Sequence, residues 1–149
     1  MFKLYSKGCE YALRALTYAA TQNEDGRFQA ADVCLQTGIP ESFSRKIFQA
    51  LVQGGFLRAL RGPGGGYVLT IPPDQISLLD VIRAVEGDDT FDHCVLGLPE
   101  CGTKRPCPLH ETWVKAKEQL LAQLEKRTLQ DLADASQPKR RPSHKLAGR

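Results

Sequence analysis

A chain of 149 residues, 42% hydrophobic, 25% charged and carrying a formal net charge of +3, has the length of one globular domain and too few residues for two independent cores. An odd count of five cysteines argues against a fully paired disulfide scaffold, and no apolar run approaches the roughly 18 residues of a membrane span. With Ser6, Lys7 and Glu10 interrupting any leader-like stretch, the reading is a cytoplasmic protein with reduced thiols, no membrane partner and no small-molecule substrate.

Ala12, Leu13, Leu16 and Ala19 or Ala20 recur at helical spacing and predict an amphipathic helix from Glu10 to about Thr21, ended by the turn cluster Asn23-Glu24-Asp25-Gly26. A short helix over Ala30 to Gln36, the turn Thr37-Gly38-Ile39-Pro40 and a helix over Ser42 to Gln53 then make a helix-turn-helix. Phe56 to Leu60 and Tyr67 to Ile71 read as strands flanking Arg61-Gly62-Pro63-Gly64-Gly65-Gly66, a hairpin tip whose glycines permit positive φ. The fold class expected is mainly α with a small β-hairpin wing, a winged helix-turn-helix.

Leu78, Leu79, Val81, Ile82 and Val85 predict a further helix closing at Gly87, before an irregular acidic loop over Asp88 to Pro106. Cys107 at the N-cap and Pro108 at the first helical position open the longest predicted helix, with Leu109, Trp113, Ala116, Leu120 and Leu124 on one stripe and Leu121, Leu129 and Leu132 beside it. Such a stripe needs a partner surface, and a homodimer supplies one. The organisation is therefore a DNA-binding unit (1–87), a cysteine-rich metal or cluster loop (88–107), a dimerisation helix (108–135) and a basic disordered tail (136–149).

The last thirteen residues hold five cations and no acid, more than the whole net excess, so the body is slightly acidic. Within that body, Ser42 to Tyr67 carries Arg45, Lys46, Arg58 and Arg61 without an acid, whereas Asp74 to Glu100 carries seven acids against Arg83. One segment suits phosphates and the other repels them. The second helix of a helix-turn-helix enters the major groove N-terminus first, which nominates Ser42, Phe43, Arg45 and Lys46. Arg45 can grip guanine edges, Lys46 a phosphate, and Arg61 a narrow minor groove. Gly64, Gly65 and Tyr67 complete the candidate double-stranded DNA contacts.

Cys94, Cys101, Cys107 and His110 form a C-x6-C-x5-C-x2-H set, the complete donor shell of a soft-metal site. A shell of three thiolates and one imidazole also suits structural zinc, although zinc sites commonly use closer cysteine pairs. Cys9 and Cys34 lie on apolar helix faces and read as buried inert thiols, and His93 as a solvent-facing loop histidine. No Ser/His/Asp set, phosphate loop or paired carboxylates suggests an enzyme.

Arg61-Gly62-Pro63-Gly64-Gly65-Gly66-Tyr67 and Cys94…Cys101…Cys107-Pro108-Leu109-His110, together with Ser6-Lys7-Gly8, Tyr11-Ala12-Leu13 and Thr128-Leu129-Gln130-Asp131-Leu132, resemble the Rrf2 family of winged-helix transcription regulators, in particular its IscR/NsrR-like iron-sulfur branch. The resemblance implies a homodimer on a palindromic operator, a long C-terminal helix crossing to the partner, and a 2Fe-2S or 4Fe-4S cluster. It also implies a fourth ligand that is either His110 or an acidic residue of the partner's first helix, a position Glu10 occupies. The function implied is a repressor sensing redox, nitric oxide or iron-sulfur status. The alternatives are a regulator with structural zinc and a cluster-free regulator controlled by a protein or small-molecule effector. Two departures stand out: the first cysteine spacing is six residues where iron-sulfur members usually have five, and Arg45 stands where IscR-type members have an acid.

Overall fold

The computed structural model describes residues 4–22 and 26–136, so Asn23 to Asp25 of the first turn and the tail from Gln137 lie outside the described residues. Helix α1 spans Lys7–Thr21, three residues earlier than periodicity alone predicts, because Ser6 is its N-cap and the Ser6 hydroxyl accepts the Cys9 amide at 3.2 Å. Ala12, Ala15, Leu16 and Ala19 form its buried stripe at i, i+3, i+4 and i+7 spacing, and the three alanines let neighbouring helices approach closely.

Helices α2 (Ala30–Thr37) and α3 (Glu41–Gln53) are separated by Gly38, whose φ of +73° lets its amide return to Cys34 O at 3.0 Å. Ile39 is buried in this turn, and α3 turns Ile47, Phe48 and Leu51 inward. Strands β1 (Leu57–Leu60) and β2 (Gly66–Leu69) pair antiparallel with Leu57 opposite Leu69 and Leu60 opposite Gly66. Phe28 adds a one-residue third edge: its amide donates to Tyr67 O at 3.0 Å and its carbonyl accepts the Tyr67 amide at 2.9 Å. Its ring joins those of Tyr67 and Phe48, the last two stacked at 4.8 Å. The wing is thereby anchored to the core that carries the helix-turn-helix.

A 3-10 turn over Pro73–Gln75 leads to α4 (Leu78–Glu86), capped by Ser77. The chain then loops to α5 (His110–Lys126), a second, smaller core forming where Leu79 and Ile82 of α4 meet Cys9 and Phe91, with Leu120, Leu121 and Leu124 packed against them. Here the expected single long helix is corrected. The chain breaks at Arg127-Thr128 and resumes as α6 (Leu129–Ser136). Thr128 causes the break: its hydroxyl accepts the Asp131 amide at 3.2 Å, and the Asp131 carboxylate accepts the Thr128 amide at 2.9 Å, a reciprocal capping box. Backbone bonds from Leu78 N to Arg127 O and from Leu129 N to Ile76 O then tie the break to the start of α4. Leu129 and Ala133 are therefore buried, Leu129 in the same core as Leu16 and Ile76, rather than aligned with the α5 stripe.

Candidate metal centre and DNA-reading surface

The loop between α4 and α5 holds its shape through short turns and two anchors. Phe91 is buried in the second core, and the Trp113 indole of α5 donates to His93 O at 3.1 Å, fixing the loop immediately before Cys94. Cys94, Cys101 and Cys107 thereby converge, with their sulfurs all within 4.8 Å of one another. Cys94 and Cys107 Sγ are 3.6 Å apart and every cysteine is a free thiol. Two sulfurs sharing one tetrahedral ion at a metal–sulfur distance of about 2.3 Å stand about 3.8 Å apart, so the donor set fits a soft metal.

His110 joins the group through Cys101, whose sulfur lies 3.5 Å from His110 Nδ1. The helix start differs from expectation. Leu109 is the N-cap and His110 the first helical residue, while Pro108 belongs to the preceding turn and Cys107 lies two residues before the cap. Cys107 still reaches His110, its carbonyl accepting the His110 amide at 3.0 Å, and its own amide donates to Cys101 Sγ at 3.4 Å.

The thiols differ in acidity. At Cys94 the Leu98 amide foremost, then the Leu96 amide and the thiols of Cys101 and Cys107, outweigh desolvation and bring the pKa down to about 7, so thiolate is accessible near neutrality. At Cys101 the Cys107 amide favours thiolate, but desolvation and the Cys107 and Cys94 thiols prevail and raise it. Cys9 is the opposite case: burial, then the Glu86 carboxylate, push it up to about 12, and it is an inert core thiol. Cys34 is likewise buried, and His93 is exposed.

Within its own chain Glu10 is not part of the group the three cysteines form. It lies on α1 between Lys7 at 3.2 Å and Arg14 at 2.6 Å, beside an open groove of about 510 Å³ that Leu132 of α6 also lines. A separate cleft of about 440 Å³ runs from Ser6 and Glu86 to Phe91, Cys94 and Trp113, and Glu86 accepts both the amide and the hydroxyl of Ser6. The entrance to the cysteine loop is thus bonded to the cap of α1.

At the start of α3, Ser42, Arg45 and Lys46 are exposed. Phe43 is 46% exposed and sets its edge against Tyr11, ring centroids 5.6 Å apart. Tyr11 also lies under Lys7 and Arg14, at 5.4 and 5.6 Å from its centroid. Two cations of α1 therefore adjoin the first turn of α3, a contribution the sequence reading missed although Lys7, Tyr11 and Arg14 share a helical face at i, i+4 and i+7. Arg61 and Gly64 are exposed at the wing tip. Gly65 and Gly66 are fitted to their surroundings: a Cβ on Gly65 would meet Leu60 O at 2.7 Å, and one on Gly66, at φ +117°, would meet Phe28 O at 2.5 Å. Tyr67, nominated as a DNA contact, is half-buried with its ring stacked on Phe48, so it also fastens the wing.

Among the described residues no helix is long and apolar enough to cross a membrane. The Rrf2 family model, described as an iron-dependent transcriptional regulator, matches residues 5–135. An HTH-type transcriptional regulator of Haemophilus influenzae is 34% identical over 143 residues, covering 96% of this chain and 93% of that protein. The HTH-type transcriptional regulator IscR of Cronobacter sakazakii is 33% identical over 132 residues, covering 89% of this chain and 80% of its own length. The structure of CymR, the global cysteine regulator of B. subtilis, superposes with a TM-score of 0.75 at 25% identity, covering 92% of this chain and all of that one.

Proposed function

The chain belongs to the Rrf2 family of transcriptional regulators, and on that premise we propose that its DNA binding is governed by an iron-sulfur cluster held by Cys94, Cys101, Cys107 and His110. Binding DNA to regulate transcription is the family's role, and it is not an enzymatic one. The observation that carries the cluster reading is the convergence of three free thiols, with a histidine at their edge, on the loop joining α4 to α5. A cluster bound there would supply redox chemistry.

The chain's own residues provide the connection to DNA. Phe91 and the Trp113–His93 bond hold the loop to α4 and α5, and Glu86 at the end of α4 bonds to Ser6, the cap of α1. Along α1, Lys7, Tyr11 and Arg14 then lead to Phe43 at the start of α3. A change in the loop shifts the pose of Ser42, Phe43, Arg45 and Lys46 against the major groove and of Arg61, Gly64 and Gly65 at the wing. No residue of α5 is fully buried within one chain, which supports a homodimer through this helix; such a dimer would act as a repressor on a palindromic operator and would bring Glu10 of the partner subunit as the alternative fourth ligand. The working parts are a DNA reader (1–87), a cluster loop (88–107) and a dimerising segment (108–135).

Structural zinc is the second reading, favoured by sulfurs close enough to share one ion. Anaerobic purification followed by an absorption spectrum with iron, sulfide and zinc analysis tests both. Brown protein with bound sulfide supports the cluster, colourless protein with stoichiometric zinc replaces it, and neither metal removes both. Cys107→Ala is expected to abolish the oxidant or nitric oxide response in a gel-shift series, and an unchanged response would sink the sensor role.

A further inference from the structure

Gln29 occupies the N-cap position of α2, where Ser, Thr, Asp or Asn would bond the open amides of the first turn, yet its side chain makes no cap bond. Instead its Nε2 crosses to the wing and donates to Gly64 O at 2.9 Å and Gly65 O at 2.7 Å. Arg27 Nε donates to Gly65 O at 3.0 Å, and Phe28 between them makes the backbone bridge to Tyr67. Three consecutive residues ahead of α2 therefore grip the hairpin. Gly66 is shaped to this grip, since a Cβ there would also stand 3.1 Å from Gln29 Nε2. Both side chains are exposed or nearly so, so neither is placed by burial. A broken local preference with a gain elsewhere marks a functional constraint.

Resting on the wing reading above, we infer that Arg27 and Gln29 are positioning residues for DNA reading. They hold the hairpin at a set angle to the helix-turn-helix, so that Arg61 and the start of α3 meet the duplex together, and they place a second guanidinium beside the wing. A loop already ordered before binding loses less conformational freedom on the DNA, which raises affinity without a new base contact.

Gln29→Asn separates this role from a structural one. Asparagine is one methylene too short for the wing carbonyls but is a better N-cap, so α2 is supported while the tie is lost. The probe is a duplex selected by the unaltered protein from a random-sequence pool. The expected result is a melting temperature within about 3 °C of the unaltered protein and affinity weaker by about five- to tenfold. In the Gln29→Asn background, Arg61→Ala should cost little more, because its contact is already misplaced. Undiminished affinity, or a full additional loss from Arg61→Ala, overturns the inference, as does weaker binding that only tracks a fall in melting temperature. If Arg61→Ala is silent in the unaltered protein, the wing reading itself fails and takes this inference with it.

Discussion

Replacing Gly66 by alanine tests how the wing is fastened. The residue sits at φ +117°, a conformation that costs a residue bearing a Cβ about 1–3 kcal/mol. The added carbon would also stand 2.5 Å from Phe28 O, a backbone atom that no rotamer change can move. Relief requires parting the Phe28–Tyr67 bridge, whose two hydrogen bonds are 3.0 and 2.9 Å long and contribute about 1 kcal/mol each. Loosening the Tyr67–Phe48 stack adds about 0.5–1.5 kcal/mol. The expected loss is therefore about 3.5–6.5 kcal/mol, a large part of an ordinary domain's stability of about 5–15 kcal/mol. Gly64→Ala is the control, since Gly64 has φ +72° and open space where its Cβ would lie; strain alone costs about 1–2 kcal/mol there. In thermal and urea unfolding Gly66→Ala should melt at least about 6 °C below Gly64→Ala, with DNA binding lost in parallel. Equal melting temperatures would show that the bridge to Phe28 does not lock the wing.

Leu129→Ala empties a site of zero exposure in the core shared with α1 and should cost about 2–5 kcal/mol by urea unfolding; a loss below about 1 kcal/mol would mean that α6 is not docked. Asp131 is held below the usual carboxylate pKa by the Thr128 amide foremost, then the Thr128 hydroxyl and Arg127. A depressed folded pKa contributes stability above the unfolded value of about 3.9 and loses it as pH falls through the folded value. The deficit of Asp131→Asn should thus be constant above about pH 5 and shrink below about pH 4, and a deficit that widens in acid contradicts the cap. In metal-loaded protein, His110→Ala should shift the absorption spectrum while Glu10→Gln leaves it unchanged; the reverse pattern would make the partner's Glu10 the fourth ligand.

Much of this architecture is legible in local chemistry. The hairpin follows from Arg61-Gly62-Pro63-Gly64-Gly65-Gly66, and α2, α3 and α4 follow from apolar spacing and the glycines at 38, 54 and 87, with ends shifted by only a residue or so. The break before α6 was legible too, in Thr128-x-x-Asp131, but Leu129 and Leu132 continue the apolar stripe of α5 and hide it. Phe28 escaped because a one-residue bridge has no alternating pattern to detect. Gln29 escaped because its meaning lies in a loop 35 residues away. For the metal set, spacing picks the residue types, whereas the closer convergence of three sulfurs than of all four donors depends on where Phe91 and Trp113 pin the loop.

The return of α6 onto α1 has a consequence for synthesis. Leu129 and Ala133 lie about 120 residues downstream of the helix they help cover, so a nascent chain that has emerged only through residue 87 exposes part of the core beneath its own DNA-reading unit. That unit can reach full stability only after α6 has left the ribosome. A fragment cut at the apparent boundary after α4 would lack a wall of its core, because Leu129 and Ala133 would be missing from it.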